Sequence, residues 1–92
     1  MRVRWSPEAA TDLEQINDYL NERDPRLAHS TVLEIYETIR NLKSLPYRGR
    51  IGAVEGTREL ILTRLPFVIV YRIKYDETIE VLHIFHGAQD KP

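Results

Sequence analysis

Hydrophobic positions in the first half of the chain recur with a helical period. Ser6-Pro7 has the signature of an N-cap followed by proline at the first helical position, and apolar residues continue at helical spacing to Asn21. Asp24-Pro25 repeats this signature. The apolar stripe that follows steps by four, three, four and three residues: Ala28, Val32, Ile35, Ile39 and Leu42. Because the link between the two segments is short, we expect an antiparallel helix hairpin.

Strand-like patterns lie on both sides of this hairpin. Residues 2–5 alternate polar and apolar side chains, as a short half-buried strand does. After the hairpin, TRELIL, FVIVYRIKY and IEVLHIF predict an antiparallel three-strand meander, whose middle strand is apolar enough to be covered on both faces. The sequence therefore predicts one α+β domain over residues 1–92. Its two-helix hairpin packs on one face of a small antiparallel sheet and leaves the other face open.

A long connection separates the hairpin from the meander. Residues 44–56, SLPYRGRIGAVEG, contain one proline and three glycines and show no sustained period, which predicts a loop. Loops of this length in small domains are usually functional or mobile. This one presents Tyr47, Arg48 and Arg50 close together in sequence.

Composition excludes several classes of protein. The 92 residues contain no cysteine, so disulfides and thiolate metal sites are excluded. With 42% hydrophobic and 29% charged residues, the composition is that of a globular chain rather than a disordered one. The start MRVRWSPEAA lacks the apolar run of a signal peptide, and no stretch approaches the roughly 20 apolar residues of a membrane span. We therefore expect a cytoplasmic protein with no membrane partner.

Charge is distributed unevenly along the chain. From Glu8 to Glu37 there are eight acidic residues against two basic ones, and from Arg40 to Lys74 there are eight basic residues against two acidic ones. The basic half could contact nucleic acid, an acidic partner protein or the chain's own acidic helices. The pattern alone leaves these three options open.

The two C-terminal histidines are candidates for metal binding or for acid–base catalysis. Side chains three apart on a strand point to opposite faces, so His83 and His86 cannot chelate one metal ion on a regular strand, and we expect no metal or other cofactor. His83 is interpreted as structural. His86 stands at the end of the predicted strand beside Gly87, where it could act as a general acid or base, stack on a nucleobase, or simply bond to backbone.

Taken in order, the segments SPEAATDLEQI, TRELIL, LPFVIVYRI and IEVLHIFHGAQ resemble the ParE/RelE superfamily of bacterial type II toxins, with the HGAQ ending most similar to the ParE branch. The resemblance covers nearly the whole chain and implies a toxin of a plasmid-stabilisation module that a cognate antitoxin neutralises. It also implies the hairpin-on-sheet fold predicted above. ParE-like members inhibit DNA gyrase by binding, whereas RelE-like members cleave mRNA on the ribosome.

The resemblance also implies functional residues. Arg58 matches the arginine of the family's "tRel" strand, and Tyr71 and Arg72 match its "vYr" segment. His86 falls on a histidine that the nuclease branch often uses. A nuclease would use His86 for proton transfer and Arg58 and Arg64 as phosphate ligands. A binding toxin would present to its target or antitoxin a basic surface that includes Arg48, Arg50, Arg58 and Arg64. The full set of candidate binding residues is Arg48, Arg50, Arg58, Arg64, Tyr71, Arg72 and His86.

Departures from the nuclease pattern favour the ParE-like reading. Where nuclease members carry arginine, this chain has Val68, His83 and Gln89. A phosphodiester transition state needs concentrated positive charge, so three missing cations weaken the nuclease hypothesis. We expect a gyrase-binding toxin, with a ribosome-dependent endoribonuclease as the alternative and a non-toxic, antitoxin-binding member as the third. The antitoxin is expected to cover an apolar groove or a strand edge, by a helix or by an added strand.

Overall fold

The computed structural model of the chain describes residues 1–62 and 64–87. It contains two helices, α1 (Pro7–Arg23) and α2 (Pro25–Asn41). Five strands complete the fold: β1 (Arg2–Trp5), β2 (Arg50–Ile51), β3 (Arg58–Ile61), β4 (Phe67–Ile73) and β5 (Thr78–His86). Both predicted helices, the N-terminal strand and the three strands of the meander are confirmed. The two-residue strand β2 is the exception, because it lies inside the segment that the sequence predicts to be a loop.

Both helices begin at the predicted caps. The side chain of Ser6 accepts a hydrogen bond from the Ala9 N–H at 3.0 Å, and Asp24 Oδ1 accepts from the Arg26 N–H at 3.1 Å. Proline occupies the first helical position in each case, where its missing N–H costs nothing. The Ser6 hydroxyl also donates to the Leu82 carbonyl at 2.9 Å, so the cap ties the start of α1 to β5.

The strands form one sheet in the order β1-β5-β4-β3-β2. The meander β3-β4-β5 is antiparallel, and β4 is its central strand, as the apolar run predicts. The sequence gives no partner for β1, which adds to β5 in parallel, and β2 adds to β3 on the other edge. The sheet is therefore mixed at the β1 edge and antiparallel elsewhere.

The helix hairpin packs on one face of this sheet. Buried side chains of the hairpin and of alternate strand positions form the core, among them Ile35, Ile39, Leu42, Ile69, Tyr71, Ile79 and Val81. The intervening strand positions point to the opposite side, which we call the open face: Glu59, Val68, Val70, Arg72, Glu80 and Phe85. Val68 is nevertheless 5% exposed, so the central strand is buried on both sides near its start.

A single phenol holds the long connection in place. Tyr71 is fully buried in the core, and its hydroxyl donates to the Pro46 carbonyl at 2.7 Å and accepts from the Gly49 N–H at 2.9 Å. A Cβ at position 49 would lie 2.8 Å from the Tyr71 ring, so only glycine fits this close approach. The Arg58 guanidinium adds a bond to the Gly49 carbonyl at 2.8 Å. This part of the connection is therefore fixed to the sheet.

Replacing Tyr71 with phenylalanine tests this anchor. The change leaves a buried Gly49 N–H and the Pro46 carbonyl without their partner, which should lower the free energy of unfolding by about 1–3 kcal/mol in denaturant titrations. Tyr75→Phe is the matched control, because Tyr75 is 99% exposed and its loss should change stability little. Equal effects of the two substitutions would contradict the anchoring role.

The Tyr71→Phe variant also tests how the stability of the fold depends on pH. Burial raises the pKa of the Tyr71 phenol above its ordinary value near 10, against the opposing effects of the Gly49 hydrogen bond, Arg58 and Arg48. When folding raises the pKa of a group, that group contributes its full stabilisation of the folded state at pH values below its pKa in the unfolded chain. This contribution is lost as the pH rises through the pKa of the group in the folded chain. Wild-type stability should therefore fall more steeply above about pH 10 than that of Tyr71→Phe.

Candidate functional site

The two C-terminal histidines lie on opposite faces of the sheet. His83 pairs across the strands with Val70 on the open face, whereas His86 pairs with Phe67 on the hairpin side. The ring of His86 meets the ring of Phe67 edge-on, with centroids 5.6 Å apart. The strand ends at His86, as predicted. The two side chains therefore leave opposite faces of β5, although both contribute to the lining of the groove described below.

His83 is joined to the first helix. Its Nδ1 lies 3.2 Å from Asp12 Oδ2, and the same oxygen accepts the Ile84 N–H at 2.9 Å. This carboxylate covers the edge of β5 just beyond the point where β1 stops pairing with it at Val81. In the sequence Asp12 stands near the start of α1. Its place on the same helical face as Ala9 and Ile16 was the available signal for contact with the sheet.

A groove lies beside His86, between the hairpin and the ends of β4 and β5. Its volume is about 920 Å³ and its lining is mainly apolar. The helices contribute Ile16, Tyr19, Leu20, Leu27 and Thr31, and the strand side contributes Leu65, Pro66, Phe67, Ile84 and Phe85. We call this the hairpin groove. Tyr19 and Leu27 are 58% and 41% exposed, which is high for large apolar side chains on neighbouring helices.

The open face presents few unneutralised charges. Arg50 Nη2 lies 3.0 Å from Glu59 Oε1, and Glu59 itself is only 4% exposed. Glu59 Oε2 also accepts the Ala53 N–H at 3.3 Å, which draws the segment after β2 toward this face. Between these charged pairs the face is formed by Val68, Val70 and Phe85. Sequence reasoning missed Glu59, because a single acid in a strand gives no sign of burial.

A second arginine on the open face is also paired. Arg72 Nε donates to Glu80 Oε1 at 2.6 Å across β4 and β5. Arg50 and Arg72 thus each have a carboxylate in contact, whereas Arg4, the register partner of Glu80 on β1, has no ion pair among the described residues. Only one of the predicted basic residues reaches the acidic hairpin, since Arg64 Nη2 lies 3.1 Å from Glu34 Oε1.

The three residues proposed for a nuclease do not meet. Arg58 pairs with Tyr71 in the register and His86 pairs with Phe67, so they lie four residues apart along β4, about 13 Å. Arg58 is engaged with the carbonyls of residues 47 and 49, and its guanidinium lies 5.0 Å from the centre of the Tyr47 ring. Arg64 is directed to Glu34 on α2. Gln89, the third departure from the nuclease pattern, lies outside the described residues.

The predicted binding residues divide in the same way. Tyr71 is buried and holds the loop through hydrogen bonds of its hydroxyl, while Arg48 and Arg50 are exposed on that loop. Arg72 lies on the open face, and His86 lines the hairpin groove. The structure therefore distributes these residues over three surfaces.

Metal-binding and membrane-spanning features are the subject of two observations on residues 1–62 and 64–87. No group of three or more histidine, aspartate or glutamate side chains in these ranges is placed to hold a metal ion. No helix there is long and apolar enough to cross a bilayer.

Comparisons with known proteins identify the fold and the family. Residues 3–91 match the family model described as "ParE toxin of type II toxin-antitoxin system, parDE". The protein Y4kP of Sinorhizobium fredii is 36% identical over 91 residues, which cover 99% of this chain and 93% of that protein.

Solved structures give the same result. The chromosomal ParDE system from P. aeruginosa contains a chain that is 32% identical, with a TM-score of 0.84 over 94% of this chain and 95% of that one. A chain of the intact E. coli RelBE toxin-antitoxin complex shares only 9% identity, with a TM-score of 0.65 over 97% of this chain and 98% of that one, and shows the fold alone. The chain belongs to the ParE toxin family of type II toxin-antitoxin systems.

Proposed function

We propose that this toxin acts in the cytoplasm by binding DNA gyrase, without breaking a bond itself, and that a cognate antitoxin neutralises it. Membership of the ParE family supports the target, and the similarity to a chain of the ParDE system supports the antitoxin. Fold alone does not decide between binding and catalysis, because RelE chains share this fold. The decision rests on the charges of the open face.

Neutralised arginines on the open face are the observation that carries the proposal. Cleavage of RNA by its own 2′-hydroxyl places negative charge on the phosphorane oxygens, which an enzyme stabilises with cations fixed around that point. Here Arg50 and Arg72 already contact Glu59 and Glu80, and valines lie between the two pairs. A phosphate approaching Arg50 or Arg72 would meet a carboxylate beside the guanidinium, so this part of the face favours binding over phosphodiester chemistry.

The position of His86 supports the same conclusion. A general acid or base must lie within hydrogen-bond reach of the reacting atoms, together with the cations that stabilise the transition state. His86 instead lies on the hairpin side, against Phe67. Arg58 is about 13 Å away along β4. The residues for a proton transfer and for phosphate binding therefore have no common centre.

The hairpin groove is the surface that best fits an antitoxin helix. An amphipathic helix buries a row of apolar side chains in such a groove, and its residues at i, i+3 and i+7 would contact the wall formed by α1 and α2. Burying Tyr19, Leu20 and Leu27 would remove exposed apolar surface from both helices. Strand addition is less favoured on β5, because Asp12 already occupies the Ile84 N–H.

Two assays on the purified chain, freed from its antitoxin, test the proposed target. With bacterial DNA gyrase and plasmid DNA we expect inhibition of supercoiling and accumulation of cleaved complexes. With translating ribosomes we expect intact mRNA. The chain in complex with its antitoxin is the control and should leave gyrase active.

Two outcomes would contradict this function. Codon-phased mRNA cuts that disappear in His86→Ala, with gyrase unaffected, would establish the nuclease alternative. No effect in either assay, together with normal growth of cells that express the free chain, would leave only the third hypothesis of a non-toxic, antitoxin-binding member.

A pair of leucine substitutions on α2 tests the antitoxin groove. Leu27→Asp places a carboxylate in the groove, and burying that charge against an apolar helix should weaken the complex with the product of the adjacent antitoxin gene at least about tenfold. Leu33→Asp is the matched control, because Leu33 is similarly exposed (46% against 41%) but does not line the groove. Titration calorimetry measures both affinities. Equal losses for the two variants would exclude the groove as the antitoxin site.

A further inference from the structure

We propose that residues 40–51, the end of α2 and the turn that follows, form the surface with which this toxin contacts an acidic patch on its protein target. We call this segment the cationic loop. The inference rests on the proposed function in one respect, since it takes the target to be gyrase, but the surface is argued from its own exposure, charge and rigidity.

Three large apolar side chains of the cationic loop are exposed to solvent. Leu45, Tyr47 and Ile51 are 62%, 66% and 76% exposed. Arg58 connects two of them, because its guanidinium lies over the Tyr47 ring and its Cα is the register partner of Ile51. The Arg48 N–H donates to the Leu45 carbonyl at 3.2 Å, which brings Leu45 into the same turn. They are therefore neighbours on one surface, of the kind that becomes buried when a partner binds.

Three of the four cations of the cationic loop have no carboxylate in contact among the described residues, and Arg50 is the exception. No acidic residue occurs in the sequence between Glu37 and Glu55. Within the described residues, Arg40, Lys43 and Arg48 make no ion pair, whereas Arg50, Arg64 and Arg72 each do. Arg40 and Lys43 also lie at the C-terminal end of α2, where positive charge is favourable. The field of the cationic loop is therefore positive and is matched by an acidic surface.

The loop is held rigid before any partner arrives. The buried Tyr71 hydroxyl fixes Pro46 and Gly49, and the Arg58 guanidinium bonds to the carbonyls of Tyr47 and Gly49. A segment fixed in this way loses less conformational entropy on binding than a free loop does. Tyr47 and Arg48, which lie between the two fixed residues, are both exposed.

An acidic protein surface matches the exposed residues of the cationic loop better than a nucleic acid or a second copy of the chain does. Exposed tyrosine and arginine side chains are the residues that most often carry binding energy between proteins, and the aliphatic Leu45 and Ile51 offer nothing on which a nucleobase could stack. A second copy of the chain could offer its acidic hairpin, but one patch meeting a different patch generates an open chain of subunits rather than a closed dimer.

The cationic loop is well separated from the hairpin groove. Leu27 in the groove and Arg40 at the other end of α2 are about 20 Å apart along the helix. A target much larger than the toxin would still collide with an antitoxin in the groove, so neutralisation does not require the antitoxin to touch the loop.

Two substitutions with matched controls test the cationic loop. Arg48→Glu reverses one of its charges, and Arg26→Glu makes the same change at an exposed position in the first turn of α2. Tyr47→Ala removes its aromatic side chain, and Tyr75→Ala removes a fully exposed tyrosine elsewhere. Binding of each variant to bacterial DNA gyrase without DNA should weaken at least about tenfold for the loop variants and less than about twofold for the controls. Added salt should weaken wild type more than Arg48→Glu.

Growth arrest on expression of the free chain provides a second readout that does not depend on the identity of the target. If wild type inhibits gyrase and the loop variants bind it equally well, the cationic loop is excluded while the proposed function stands. If the wild-type chain fails to bind gyrase, the proposed function fails. In that case the cationic loop is still supported if only the loop variants lose the ability to arrest growth. It is excluded if the wild type, the loop variants and the controls all arrest growth equally.

Two other partners of the cationic loop, a nucleic acid and a second copy of the chain, would each give a distinct result. Direct binding of plasmid DNA by wild type, lost in Arg48→Glu, would make the partner a nucleic acid and overturn the inference. Light scattering that grows with protein concentration for wild type but not for Arg48→Glu would make the partner a second copy, and would also overturn it. A monodisperse wild type without affinity for DNA is the expected result.

Discussion

The buried hydroxyl of Tyr71 is the interaction on which the exterior of this toxin depends. Its ring belongs to the core between hairpin and sheet, while its oxygen bridges Pro46 and Gly49 in the connection that leaves α2. Core packing thus determines the shape of an exposed turn. Glycine at position 49 is required by the same contact, because any side chain there would overlap the phenol.

The open face and the cationic loop differ in whether their charged side chains form ion pairs. Arg50 and Arg72 are balanced by Glu59 and Glu80 on the open face, and His83 is joined to Asp12. On the cationic loop, Arg40, Lys43 and Arg48 make no ion pair with any described residue. A binding toxin needs such a surface and no reaction centre, which agrees with the function proposed for this member of the ParE family.

The sequence predicted those features that local chemistry determines. Ser6-Pro7 and Asp24-Pro25 specify the helix starts, and strand alternation predicts that His83 and His86 face apart. Features that depend on distant partners were missed. Alternation at the N-terminus predicts β1 but not its parallel pairing with β5, more than 70 residues away, and β2 is too short to leave a pattern. The inward direction of Tyr71 and the burial of Glu59 likewise follow from the assembled sheet.

We infer that this small fold keeps its antitoxin surface and its target surface apart. Amide hydrogen exchange, measured on the free chain, on its complex with antitoxin and on its complex with gyrase, examines this separation. We expect the antitoxin to slow exchange mainly in residues 13–31 and 64–67, and gyrase to slow it mainly in residues 42–52. Protection of the same segments by both partners would contradict it, because the toxin would then have a single surface for which antitoxin and target compete.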